Sequence, residues 1–156
     1  MAKIGIVTRN TANFGVMGSQ SYSNKSEMMY SAADYSFAKN LYVAVPHSAY
    51  YSCFLMMKWL WTTSMGKTEN DLSNLCKLNP RIGSHEVLIN EVMKYIQSNS
   101  RNKDADVDSR DFNNQIVQLK RNRVKADYSD TEIDYYTASN AKETALNILN
   151  ILKRNK

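Results

Sequence analysis

Glycine and proline are scarce, at 5 and 2 of 156 residues. Gly5, Gly15 and Gly18 all fall near the start, which leaves two glycines for everything after Gly18. A fold of many short strands needs a turn signal about every 8–12 residues, so this scarcity argues for helices. Cysteine is almost absent. Cys53 lies inside an apolar run and reads as a core thiol, Cys76 stands alone, and neither has metal-ligand spacing. With no disulfide framework, a reducing cytoplasm is the expected location. The longest apolar run, AYYSCFLMMKWLW, is broken by Lys58. It falls well short of the ~20 residues that span a bilayer. The N-terminus MAKIGIVTRN has no signal-peptide core, so no membrane partner is expected.

Histidine is equally rare. His47 and His85 are the only two. His85-Glu86 lacks the second histidine of a zinc helix, and there is no Glu-x-x-His pair for a di-iron bundle. SMGKTEND carries Gly-Lys-Thr without the upstream glycine of a phosphate loop. No metal and no cofactor are expected.

The remaining composition is that of a globular chain, 43% hydrophobic and 22% charged, of a length that suits one core. The net charge of +5 is a mild basic bias, compatible with RNA, a nucleotide or an acidic protein partner. Residues 1–24 are polar, glycine-bearing and aperiodic, and read as an irregular N-terminal arm. Residues 25–156 read as a helical bundle. Asn24 with Glu27 resembles an N-cap and its N3 partner, and Tyr30, Ala33, Phe37 and Leu41 then form one helical face. Pro46 suits the first turn of a second helix, apolar nearly all round over residues 46–63. Such a helix is either central in a bundle or paired with a second copy of itself. Residues 66–83 read as a connector in which NDLSNLCKL adds a short helical turn. Further helices are expected after Ser84 as N-cap, from Val107 to Ala126, and from Ala138 onward. The sum is an all-α, up-and-down bundle of four or five helices.

The stretch QLKRNRVKADYSD, Gln118–Asp130, concentrates cations. At about 100° per residue and with Phe112 at zero, Ile116 falls at about 40°, Leu119 at about −20° and Arg123 at about 20°, whereas Arg121 falls at about 180°. Lys120, Arg121 and Lys125 are explained as solvated charge. Arg123 occupies a position meant for an apolar side chain. It therefore needs a carboxylate, carbonyls, an aromatic face or an anionic ligand. Asp127, four residues on, is placed to pair with it. A structural ion pair closing the bundle end is one reading, and a phosphate-binding arginine at a cleft is the other. Tyr135 and Tyr136 fall in the connector after this stretch and are the best exposed candidates for base stacking.

Three segments in order resemble the HEPN superfamily: HSAYYSCFLMMKWLW (His47–Trp61), SHEVLINEV (Ser84–Val92) and RVKADY (Arg123–Tyr128). The last is similar to the Arg-x-x-Ala-Asp-Tyr of one small bacterial branch, and the match covers roughly Met28 to Leu152. The resemblance implies a helical bundle, often dimeric, with its site at the dimer interface. Many members are metal-independent ribonucleases of toxin–antitoxin, CRISPR or phage-defence systems, and others pair with a minimal nucleotidyltransferase. Their hallmark is an arginine followed four to six residues later by a histidine. Here that place is taken by Tyr128, a phenol that titrates near pH 10 and is a poor general base at neutrality.

On this basis the candidate chemical residues are Arg123, Asp127 and Tyr128, with Arg121, Lys125 and His85 as candidate substrate-binding residues. His85 is the natural substitute base if a site lies between helices. The implied function is binding of RNA or nucleotide phosphate, with RNA cleavage as its extension and a homodimer through helix 46–63. The competing reading is a non-catalytic partner of a nucleotidyltransferase antitoxin, using that same helix as its interface.

Overall fold

A computed structural model describes residues 14–156, with side chains from Ser21 onward, and the expected arm before Phe14 lies outside the described residues. The described residues form six α-helices: α1 (Phe14–Ala38), α2 (Val45–Thr63), α3 (Glu69–Leu78), α4 (Ser84–Gln97), α5 (Ala105–Tyr128) and α6 (Tyr135–Arg154), with a 3-10 turn over Tyr42–Ala44. The architecture is an all-α bundle. No described helix is long and apolar enough to cross a membrane.

Helix α2 is central. It packs against α1, α4, α5 and α6, and Ala49, Tyr50, Cys53, Met57 and Leu60 are all fully buried. Within the chain, the helix is thus central in the bundle, the first of the two options its composition left open. Each large side chain removed from water there contributes ~1.5–3 kcal/mol. Burial pushes the Cys53 thiol up to about 12, and its Sγ donates to the Ala145 carbonyl at 3.6 Å, so it is an inert core residue. The α1–α2 contact is close because small residues line it: Ala33 is buried, and Ser26 Oγ donates to the Ser52 carbonyl at 2.7 Å.

Four local expectations are corrected. Helix α1 starts at Phe14 and runs through Asn24, which is no N-cap. Gly15 and Gly18 hid this extension, yet each costs only ~1 kcal/mol against alanine, and lengthening an existing helix needs no new nucleus. Tyr22 ties the extension down by donating to Glu69 Oε1 at 2.7 Å. Gly83, not Ser84, is the N-cap of α4 and supplies no side-chain bond. Helix α6 begins at Tyr135 because Asp134 Oδ1 accepts from the Thr137 N–H at 2.8 Å. Tyr135 and Tyr136 therefore stand in its first turn rather than in the connector.

The fourth correction matters most. Residues 69–78 are a full helix, not a turn. Thr68 and Asp71 form a reciprocal capping box, with the Asp71 N–H donating to Thr68 Oγ1 at 3.1 Å and the Thr68 N–H to Asp71 Oδ2 at 2.7 Å. Trp61 Nε1 donates to the Thr68 carbonyl at 2.8 Å, which fixes α3 against the end of α2. Thr68→Ala is expected to cost about 1 kcal/mol, read as a lower chemical-denaturation midpoint with unchanged slope. An unchanged midpoint would show that the box does not hold α3.

At the far end of the bundle, α5 and α6 are joined by a polar lock. The buried Asp108 accepts from Arg154 Nε at 2.8 Å, Asn102 Nδ2 at 2.8 Å and Asn155 Nδ2 at 3.0 Å. Ser109 Oγ donates to the Met93 carbonyl at 3.2 Å, so α4 and α5 run antiparallel. The C-terminus of α5 lies beside the N-terminus of α2, where Asp127 meets His47.

Candidate functional site

The first turn of α2, the start of α4 and the last turns of α5 converge at one end of the bundle. Pro46 stands in the first turn of α2, where no N–H partner is needed, and sets His47 at the rim. Arg123 enters from α5 on its buried stripe, with its side chain 14% exposed, while Arg121 is exposed. The helical angles that separated the two arginines describe their positions correctly.

Arg123 meets four groups. Nη2 donates to Tyr51 Oη at 2.8 Å. The guanidinium carbon lies 5.7 Å from the Tyr50 ring, 5.2 Å from Tyr51 and 5.5 Å from Tyr128, all within the range of cation–π attraction. Nε stands 3.0 Å from Asp127 Oδ2. That N–H is nonetheless buried and not aimed at the carboxylate, so it has no directed acceptor. The pair is a Coulombic contact, and the geometry decides against counting it as a hydrogen bond. The ion pair anticipated from spacing is present, and Arg123 lines none of five cavities formed by the described residues.

Asp127 has a second partner that sequence reading missed. His47 Nδ1 lies 3.0 Å from Asp127 Oδ2 and 3.2 Å from Oδ1. A carboxylate only accepts, so the contact selects the tautomer with the proton on Nδ1 and leaves Nε2 with a free lone pair. The His47 side chain is 45% exposed and that of Asp127 20%. The arrangement is an arginine, a carboxylate and a histidine in contact, with the imidazole turned toward solvent. The His47 ring also lies against Tyr51, with centroids 4.8 Å apart.

His85 is held differently. Its Nδ1 is 2.8 Å from Tyr50 Oη and its ring stacks on Phe54 at 4.1 Å. Burial lowers its pKa, and the charges of Arg123, Lys120 and Lys58 lower it further, so it is neutral at pH 7. Burial raises the Tyr50 phenol, against the pull of Arg123. His85 thus supports the tyrosines that surround Arg123 and does not touch Asp127.

Lys120 Nζ donates to Glu86 Oε2 at 2.7 Å. Arg121 and Lys125 lie with it on the outer side of α5. Tyr128 is 74% exposed, with its ring against Arg123. Among the described residues no cluster of three or more His, Cys, Asp or Glu side chains is arranged to hold a metal ion. No protein-family model, no curated protein and no solved structure matches this chain.

Proposed function

We propose that this is a HEPN-like protein that binds RNA or nucleotide phosphate at the α2–α5 end of the bundle and cleaves RNA there as a metal-independent ribonuclease of a toxin–antitoxin or phage-defence system. The observation that supports this reading is the contact of His47 with Asp127 beside Arg123. The histidine missing from its place after the arginine is supplied by another helix. Arginine presents a planar fork of donors suited to phosphate oxygens.

In the proposed reaction His47 Nε2 takes the proton of a ribose 2′-hydroxyl. The 2′-oxygen attacks phosphorus, the 5′-oxygen departs with a proton from water, and the products are a cyclic phosphate and a 5′-hydroxyl. Asp127 holds the imidazole in the tautomer that can accept the proton. Arg123 balances the charge that grows on the phosphoryl oxygens.

One observation favours a structural role for the pair at the bundle end: Arg123 is already paired with Asp127 and only 14% exposed. The second functional reading is a non-catalytic partner of a minimal nucleotidyltransferase. For such a partner, or for a homodimer through α2, the central packing of that helix leaves only a half-buried strip, notably Tyr51, Phe54, Leu55 and Trp59. Co-purification of the neighbouring gene product from the native operon separates the two readings.

The direct test is incubation of the purified protein with mixed-sequence single-stranded RNA in a chelator. Cleavage leaving 5′-hydroxyl ends is expected. Arg123→Ala, checked for folding by circular dichroism, is expected to reduce it by ~10²–10³-fold. Wild-type protein that neither binds nor cuts RNA sinks the proposal.

A further inference from the structure

Between α4 and α5 runs a groove of about 600 Å³, bordered by Glu86 and by Val117, Lys120, Arg121, Val124 and Lys125. Its size is that of a ligand site, ~300–1,000 Å³. Its chemistry is divided. Val117 and Val124 form an apolar floor two turns apart on one stripe of α5. Lys120 is neutralised by Glu86 at 2.7 Å. Arg121 and Lys125 have no ion-pair partner among the described residues and are both exposed.

The stripe does not stop at Val124. Tyr128 lies one further turn along it, is 74% exposed, and rests its ring 5.5 Å from the Arg123 guanidinium carbon. Tyr128 is thus the physical link between the groove and the Arg123–Asp127–His47 cluster. One part of its ring is occupied by the cation and the rest is open.

We propose that this groove is a subsite for the nucleotides adjoining the phosphate held at Arg123. In it a single RNA strand lays base or ribose faces on Val117 and Val124, places phosphates against Arg121 and Lys125, and stacks one base on Tyr128. This rests on the phosphate-binding reading above and adds the substrate class, unpaired RNA. Charge complementarity fixes the sign of the occupant. The aromatic face beside unpaired cations selects a single strand, because in a duplex the base faces are hidden. An acidic helix would meet the cations but leave the open tyrosine ring without a function.

The test uses His47→Ala protein, expected to bind without cutting, and a fluorescent unstructured oligouridylate of about eight nucleotides. R121E/K125E introduced into that protein is expected to weaken binding at least ~10-fold. It should also flatten the slope of log affinity against log salt by about 1.4, since each single-strand phosphate contributes ~0.7. Tyr128→Ala is expected to weaken binding ~10-fold with the slope unchanged, and a hairpin duplex to bind more weakly than the single strand. Unchanged affinity and slope in R121E/K125E overturn the subsite, as does equal binding of the duplex or equal competition by oligoglutamate. If the oligonucleotide binds in this way but wild-type protein never cuts it, the subsite stands and the ribonuclease reading falls. If wild-type protein cuts and R121E/K125E cuts with unchanged KM, the reverse holds.

Discussion

His47→Ala is expected to lower RNA cleavage by about 10²–10⁴-fold, the usual contribution of a positioned general base, while the protein stays folded. The side chain is 45% exposed and its one polar contact is with Asp127. A part-exposed hydrogen bond to a carboxylate contributes about 1 kcal/mol to stability. Two companions make the result specific. His47→Gln can still reach Asp127 but cannot carry a proton, and it should be as inactive as His47→Ala. Asp127→Asn retains the shape and presents an amide to Nδ1, which favours the wrong tautomer. It should lose activity while binding RNA. The readout is single-turnover cleavage beside equilibrium binding for each variant. Wild-type rates in His47→Ala would remove the histidine from the chemistry.

The second large effect concerns stability. Asp108→Ala is expected to destabilise the fold by ~3 kcal/mol, a large share of the ~5–15 kcal/mol that holds a domain together. The Asp108 side chain is 2% exposed and accepts from Arg154, Asn102 and Asn155. Its removal leaves the fully buried Asn155 without one of its acceptors, and such orphaned donors cost ~1–3 kcal/mol each. Arg154, 54% exposed, can turn to solvent, which keeps the total below that of a fully buried pair.

The same lock sets an acid limit. Hydrogen bonding from Arg154, with help from Asn155 and Asn102, holds the Asp108 carboxyl at about 2 against an ordinary 3.8. A depressed carboxyl contributes its full stability above the ordinary value and loses it as pH falls through the folded one. The window is therefore from about pH 4 down to about pH 2. Denaturation midpoints across it should fall in the wild type and fall less in Asp108→Asn. Equal acid sensitivity in both would remove Asp108 as the cause.

The helices themselves were legible in the chain. Ala49, Cys53, Met57 and Leu60 recur on one helical face, and all four are buried, while the apolar residues opposite, Tyr51, Phe54, Leu55 and Trp59, stay half-buried. The angular offset of Arg123 from Arg121 follows from 3.6 residues per turn, and one is 14% exposed while the other faces solvent. The Arg123–Asp127 pair is local in the chain, four residues apart, so spacing was enough to predict it.

What the chain did not disclose is which histidine stands beside that pair, because this depends on parity. With residues 66–83 as a mere connector in an up-and-down bundle, the helix from Pro46 and the helix ending at Tyr128 would run in the same direction. His47 would then lie at the opposite end from Asp127. Helix α3 is an extra reversing element, held by the Thr68–Asp71 box and by Trp61. It returns the chain so that α2 and α5 are antiparallel, and His47 meets Asp127 across eighty positions. Sequence alone determined that a buried arginine had to find a partner for its charge, with Asp127 placed to be one. Only tertiary structure decided that the anion would also hold an imidazole, since one short helix sets the direction of every helix after it.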